Sequence, residues 1–326
     1  MMTDIHQRVA ESSEDSEERL HEEWKPRKEI TAADAVLSTC WFPHSRSDDP
    51  ARYCFATAVK DHPIHLLDAT DGRLRASYPL VDHRERMVAP HSMLFSQDGT
   101  RPGCPGERYK TSPTRRSRDG QKGIISTLAA DPTSTGLLAA GSFSGQIGIY
   151  DTLASELSPQ MVFHSAEHTG ITQVKFHLLN ERVLFTASRR SNSIKCWDLR
   201  YAAACFHTFH RPGHTNQRLS FDIDYSGLNL ATGAQDGKIR VYRLDNLDAE
   251  PALKMTLHSD VIGSVAFNPA GCSIVSCSGS RKNKFDESQD EHVENNSGID
   301  AHHDLNDGPP EQENDTELAI WKFEYV

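Results

Sequence analysis

Apolar residues in this chain come in short runs, and polar turn residues close each run. Runs this short, rich in Val, Ile, Phe and Thr and broken by Gly, Ser, Asp or Asn, predict β-strands. A helix needs a longer segment with a 3.6-residue repeat. Two units recur. The first is an apolar run near Phe, then a turn: Leu94-Phe95-Ser-Gln-Asp-Gly99, Val174-Lys-Phe176-His-Leu-Leu-Asn180, Ser220-Phe221-Asp-Ile-Asp-Tyr-Ser-Gly227 and Val265-Ala-Phe267-Asn-Pro-Ala-Gly271. Phe176 to Phe221 is 45 residues, Phe221 to Phe267 is 46, and Phe95 to Phe176 is 81, close to two periods. The second is a strand of small residues: Leu138-Ala-Ala-Gly-Ser142, Thr186-Ala-Ser188, Leu230-Ala-Thr-Gly-Ala234 and Val275-Ser-Cys-Ser278. A polar turn follows it, then a strand ending at Leu67-Asp68, Tyr150-Asp151, Trp197-Asp198, Tyr242 or Trp321. Tyr150 to Trp197 is 47 residues and Trp197 to Tyr242 is 45.

Short strands repeating every 40–47 residues, with Trp-Asp closing one of them, predict an all-β WD-repeat β-propeller. Each unit is then a four-stranded antiparallel blade around a central channel. About six units are visible. Five are whole or nearly so, starting near Val36, Gly123, Ile171, Arg218 and Val261. The one near His91 is incomplete, because residues 101–118 offer no buried strand pair before Ile124. The last unit needs a fourth strand from elsewhere, and Lys28-Glu-Ile-Thr31 is the segment expected to supply it. The domains read as an acidic, disordered arm or short helix over 1–27, then the propeller over 28–326. A disordered acidic insertion interrupts the propeller at about 281–316.

Charge changes this picture. The net charge of -11 is uneven: residues 1–30 carry -4 and residues 285–317 carry -12, which leaves residues 31–284 at +5. The folding part is therefore mildly basic, and a low overall pI does not exclude nucleic acid. No apolar run reaches the 18 to 20 residues of a membrane helix, and the polar N-terminus reads as no secretory signal. The seven cysteines are scattered and never form C-x-x-C, which fits a reducing compartment without a disulfide framework or zinc knuckle.

No catalytic set is visible: no P-loop, G-x-S-x-G, H-E-x-x-H or G-x-G-x-x-G. Gly141-Ser-Phe-Ser-Gly145-Gln-Ile-Gly148 has the wrong spacing for a dinucleotide loop and reads as a strand turn. His207, His210 and His214, and His302-His303-Asp304, read as solvated histidines. No metal and no cofactor is expected. Trp197 and Asp198 read as structural, with Ser188 and His168 as the expected partners of the indole, and Asp236 reads as a structural turn residue. Lys60, His62, Arg189, Arg190, Lys238, Arg281 and Lys282 fall in or beside turns joining second to third strands. In a propeller those turns open on one face, so charges scattered in sequence gather in space. Arg218 lies between blades near the same face. Such residues can neutralise phosphates, and Arg or His can stack on unpaired bases. Thr111-Ser-Pro-Thr-Arg-Arg-Ser-Arg118 reads as a basic loop, open to a phosphosite, a nuclear signal or an RNA contact.

Specific stretches resemble the telomerase Cajal body protein family, WD-repeat proteins that bind small Cajal-body RNAs. They are Cys40-Trp41-Phe42, Lys60-Asp-His-Pro-Ile-His-Leu-Leu-Asp-Ala69, Gly72-Arg-Leu-Arg-Ala-Ser77, His91-Ser-Met-Leu-Phe-Ser-Gln-Asp-Gly99 and Gly123-Ile-Ile-Ser126. Further matches are Ser188-Arg-Arg190, Cys196-Trp-Asp-Leu-Arg200, Thr215-Asn-Gln-Arg218 with Phe221-Asp222, and Ser278-Gly-Ser-Arg281 before the acidic insertion. The resemblance covers about residues 28 to 326. The family usually has a further blade before the Cys-Trp segment, and the second unit here lacks its middle strands. The resemblance implies a non-enzymatic adaptor that recognises the CAB-box loop of H/ACA-type small RNAs, telomerase RNA where applicable. It would direct the ribonucleoprotein to nuclear Cajal bodies, with a cytoplasmic pool also allowed, and have protein partners but no membrane. The alternative is a protein–protein scaffold, in pre-mRNA splicing for example, without RNA contact. Exposed apolar residues on the channel face would favour the scaffold; a basic, aromatic-edged face would favour the adaptor.

Overall fold

The computed structural model describes residues 4–9, 28–43, 45–82, 84–95, 111, 117, 119–133, 136–154, 158–165, 167, 169–201, 204–247, 250–269, 273–279 and 317–322. For 4–9 and 317–322 the backbone alone is described. The acidic insertion, Arg281, Lys282, His168, His302, His303 and most of 111–118 lie outside these residues.

Among the described residues, twenty strands form five four-stranded sheets. A first strand, β1 (Asp4–Val9), belongs to the last sheet. The first sheet is β2 (Val36–Trp41), β3 (Cys54–Val59), β4 (Ile64–Asp68) and β5 (Leu74–Tyr78). The second is β6 (Ile125–Ala130), β7 (Leu137–Ser142), β8 (Gln146–Asp151) and β9 (Pro159–His164). The third is β10 (Ile171–His177), β11 (Asn180–Ser188), β12 (Ser193–Asp198) and β13 (Ala204–His210). The fourth is β14 (Phe221–Ile223), β15 (Asn229–Thr232), β16 (Lys238–Arg243) and β17 (Leu253–Thr256). The fifth is β18 (Ile262–Phe267), β19 (Ser273–Ser278), β20 (Glu317–Lys322) and β1. Each is an antiparallel meander, except that β1 joins β20 in parallel. This is the WD-repeat β-propeller plan, with five full blades at the five positions the period marks.

The last blade corrects one expectation. Its fourth strand is Asp4–Val9, and residues 28–31 carry no strand. Only four residues separate Thr31 from Val36, where β2 begins, which leaves little chain to leave the last sheet and enter the first. An ordered strand therefore sits inside the stretch expected to be disordered.

The core lies between the sheets. One cluster joins Ile147 and Ile149 of the second blade to Ile171, Phe176, Leu184 and Trp197 of the third. A second joins Phe185, Ile194 and Phe209 to Phe221, Leu230 and Tyr242 of the fourth. A third joins Ile239 and Val241 to Ile262, Val265 and Ile274 of the fifth. This explains the small-residue strands. A methyl added at Gly141 would sit 2.6 Å from Ile171 Cγ2, and one at Gly233 would sit 2.5 Å from Ile262 Cγ2. In these two blades the chain must be small at or just past the end of the second strand, where the next blade's inner strand leans on it.

A polar residue also recurs at one position in the inner segments: Ser92, Thr127, Gln173 and Ser220. Each accepts the backbone N–H of the following unit's inner strand. The pairs are Leu128 N to Ser92 Oγ at 3.1 Å, Val174 N to Thr127 Oγ1 at 3.4 Å, Phe221 N to Gln173 Oε1 at 2.9 Å and Val265 N to Ser220 Oγ at 3.1 Å. Gln173 Nε2 also donates to Phe221 O at 2.8 Å. Ser92 thus gives the reduced unit near His91 the same stitch to its neighbour as a full blade. Phe42, just after β2, meets Phe95 of that unit edge-on at 5.4 Å.

Within blades, the indole of Trp197 corrects a second expectation. Its Nε1 donates to Thr186 Oγ1 at 2.8 Å, not to Ser188. Trp197 pairs with Leu184 across the ladder, so Thr186 is its same-face diagonal neighbour, and Ser188 is two residues farther along. The Ser188 hydroxyl instead meets Ser165 Oγ at 3.3 Å. Comparable clasps hold other blades: Tyr150 Oη donates to Gln121 Oε1 at 2.7 Å, and His258 Nε2 lies 2.7 Å from Ser276 Oγ. In the fourth blade, buried Arg211 donates to Thr232 Oγ1 at 2.6 Å and to Leu219 O at 3.1 Å. Burial pulls its pKa down to about 10, so it remains a cation at neutral pH.

Candidate nucleic-acid interface

In a four-stranded meander, the turn from second to third strand and the connection to the next blade lie at the same end. Backbone hydrogen bonds tie these segments together. Arg189 N donates to Gly170 O at 2.8 Å, Arg190 N to Thr215 O at 3.2 Å and Gln235 N to Pro212 O at 2.9 Å. Among the described residues, the turns that carry Lys60, His62, Arg189, Arg190 and Lys238 therefore lie at one end of their blades.

The β11–β12 turn stands out. It holds residues 189–192, the same length as the β3–β4 turn, 60–63, where Asp61 also takes a positive φ. Arg190 takes φ 54°, in the left-handed region. A side chain there is strained by about 1–2 kcal/mol. Two contacts hold it: its N–H reaches Thr215 O, and its Nε donates to Asn216 Oδ1 at 2.8 Å. Next to it, Arg189 places its guanidinium 5.3 Å from the centroid of Phe143, on the β7–β8 turn. Phe143 is 37% exposed, and His91 of the reduced unit meets it edge-on at 5.4 Å. Arg218 completes the group: its Nε donates to Thr172 O at 2.9 Å, and crowding by neighbouring protein atoms lowers its pKa. An arginine so placed still keeps its charge.

Four units thus contribute to one cluster: His91, Phe143, the Arg189–Arg190 pair, and the 215–218 loop. Glu167, in the loop leading to β10, is engaged by Ser193 Oγ at 3.0 Å and Lys195 Nζ at 3.3 Å. Among the described residues no ion pair involves Arg189 or Arg190; Arg189 is set against the Phe143 ring and Arg190 against the Asn216 amide. Arginine against an exposed aromatic ring, beside further cations, is a surface able to hold a phosphodiester and stack an unpaired base.

The other sequence candidates stand on different turns. Lys60 and His62 belong to the β3–β4 turn of the first blade, where Lys60 is exposed and its carbonyl lies 2.6 Å from His62 Nδ1. Lys238 opens β16 and is half-buried. Asp236 receives Arg240 Nη2 at 2.6 Å and Nη1 at 3.0 Å, bracing the turn before β16. Asp198 receives Arg200 Nη2 at 2.6 Å, and that hydrogen bonding holds its carboxyl at about 2. Among the described residues no group of three His, Cys, Asp or Glu side chains is placed to hold a metal. Phe143, His91 and Asn216 were quoted within sequence segments but not named as site residues. Phe143 and Asn216 sit in turn and loop segments with no repeating signature, and the meeting of all three with the arginines exists only between blades.

Residues 203–243 and 250–284 match the family model described as WD domain, G-beta repeat. Telomerase Cajal body protein 1 of Rattus norvegicus is 29% identical over 285 residues, covering 82% of this chain and 53% of that protein. Guanine nucleotide-binding protein negative regulator 1 of Schizosaccharomyces pombe is 32% identical over 284 residues, covering 79% of this chain and 69% of that protein. The telomerase Cajal body protein 1 homolog of Drosophila melanogaster is 31% identical over 253 residues, covering 75% of this chain and 46% of that protein. The chain spans about half the length of the telomerase Cajal body proteins it matches.

Proposed function

The chain belongs to the telomerase Cajal body protein family of WD-repeat proteins, and from that premise we propose that it is an RNA-binding adaptor. It recognises an unpaired loop of H/ACA-type small RNAs, the CAB box, including telomerase RNA where that applies. It directs the ribonucleoprotein to nuclear Cajal bodies and makes or breaks no bond. The observation that carries this reading is the basic, aromatic-edged cluster of Arg189, Arg190, Arg218, Phe143 and His91. A loop presents base faces and edges that a helix conceals, so sequence is readable there without unwinding. Lys60, His62 and Lys238, on turns at the same end, are further phosphate contacts in this reading, as the sequence also offers Arg281 and Lys282.

Ultraviolet crosslinking of the protein in nuclei, followed by sequencing of the attached RNA, tests the reading. The expected result is enrichment of H/ACA-type RNAs with crosslinks in a loop. An RNA profile equal to a mock control overturns it. The double substitution Arg189→Glu with Arg190→Glu is expected to weaken binding and flatten its salt dependence, by roughly 0.7 in log–log slope per lost phosphate contact.

A second reading, a protein–protein scaffold, draws on the opposite end of the blades. Leu153, Leu179, Tyr201 and Tyr225 are exposed there, on turns between first and second or third and fourth strands. The fission-yeast relative's name, a negative regulator of a guanine nucleotide-binding protein, points the same way. Recovery of protein partners without RNA would favour it.

A further inference from the structure

We infer that Asn216 is a base-reading residue of this interface, selecting an unpaired base that presents two adjacent hydrogen-bond acceptors. The inference rests on the RNA-binding reading above and deepens it.

An asparagine amide offers two donors on Nδ2 and an acceptor on Oδ1, so by itself it can match several bases. Here one of its options is used. Arg190 is donor-only, and its Nε lies 2.8 Å from Asn216 Oδ1. Oδ1 must therefore face the guanidinium, because a flipped amide would set donor against donor. The amide is fixed with Nδ2 directed away from Arg190. Both residues are exposed, and the guanidinium bound to the amide carries no acceptor. With Oδ1 engaged by Arg190, the group the amide turns toward a ligand is the Nδ2 donor pair. Arg190 itself is held rather than mobile: its φ of 54° is kept by the N–H to Thr215 O, on the residue before Asn216. A residue in the left-handed region, tied through backbone and side chain to a neighbouring loop, is an arrangement expected where a side chain must point in one direction.

The base edges decide what such a surface accepts. Guanine presents O6 and N7 side by side, both acceptors. Cytosine presents O2 and N3, also both acceptors. Adenine places its N6 donor beside N7 and N1, and uracil places its N3 donor between O2 and O4. A donor-only edge therefore favours guanine or cytosine and opposes a donor with a donor in adenine and uracil. Arg189 and Arg218 supply phosphate attraction that is indifferent to sequence.

The test uses the full chain and uridine-rich single-stranded RNAs carrying one central test base: guanine, 7-deazaguanine, cytosine, adenine or uracil. Binding is read by fluorescence anisotropy. The guanine or cytosine oligonucleotide is expected to bind about ten-fold or more tighter than the adenine one, in line with a bidentate base contact. Loss of the preference with 7-deazaguanine identifies the O6/N7 edge, whereas preference for cytosine identifies O2/N3. Asn216→Asp replaces donors by an acceptor and is expected to abolish or invert the ratio. Arg190→Ala frees the amide to flip, so the ratio is expected to fall with Asn216 still present, an effect a merely structural asparagine would not show. Thermal unfolding of both variants checks that the blades remain folded. Equal binding of all test bases, or an unchanged ratio in Asn216→Asp, overturns the assignment and leaves the adaptor reading standing. Failure of the unaltered protein to bind any of these RNAs removes both.

Discussion

The seam between the third and fourth blades and the first blade use the same antiparallel ladder, yet they bury their strands very differently. At the seam, Phe185, Phe209, Phe221 and Tyr242 form one aromatic group, with ring centroids 5.1 to 6.5 Å apart. Lys175 pairs with Asp222, and Gln173 bonds both backbone groups of Phe221. In the first blade, the inner strand β2 has no buried position, and Trp41 is 55% exposed beside Tyr53 and Phe55. Its buried apolar side chains are mostly small ones of β3, Cys54, Ala56 and Ala58 among them, with Ile64 of β4 the largest. Backbone pairing alone does not make a core. Burial comes from the sheet on each side, and the arginine cluster stands on the well-packed part.

The strongest way to break this comparison is Phe221→Ala. It is expected to destabilise the protein by about 3–5 kcal/mol, read from the denaturant midpoint. Gly233→Ala comes next, at about 1–3 kcal/mol, because its new methyl would press on Ile262. A fully neutral result would mean that the fifth blade's inner strand can retreat. Trp197→Phe is expected to lose about 1–2 kcal/mol by leaving Thr186 Oγ1 without the indole. Asp198→Asn sharpens the picture through pH. Arg200 holds the native carboxyl at about 2, against 3.8 for an ordinary aspartate. A depressed carboxylate adds stability that is present above the unfolded value and lost as pH falls through the native one. The variant should therefore show a flatter stability–pH curve between about pH 4 and 2. Trp41→Ala, in the first blade, should change stability least, by under about 1 kcal/mol. A loss as large as that of Phe221→Ala would show the two regions to be equally packed.

The period of the chain was readable because Phe176, Phe221, Phe267, Trp197 and Tyr242 repeat at 45 to 47 residues, and each such residue lies in a core between blades. The indole's partner was not readable. Ser188 and Thr186 are both hydroxyls near the end of one small-residue strand, and only the register of β11 on β12 separates them. β1 was hidden because Asp4-Ile-His-Gln-Arg-Val9 is mostly polar and its partner lies more than 300 residues away. The basic turns were legible as a face, since their place in the repeat fixes the end at which they emerge. Which of them cluster was not, because Arg189 turns to Phe143 in one blade and Arg190 to Asn216 beyond the next.

The parallel seat of β1 on β20 has a mechanical meaning. Six residue pairs, Asp4 with Glu317 through Val9 with Lys322, run in the same direction. Tension applied to the chain before β1 and after β20 pulls these strands past each other lengthwise. The load then falls on all the rungs together, whereas an antiparallel closure pulled at its free ends would open one rung at a time. Forced unfolding is governed by the height of that barrier. A single-molecule pulling experiment from the two ends should therefore show one high-force rupture before the blades extend, and a series of small early steps would show that the closure peels.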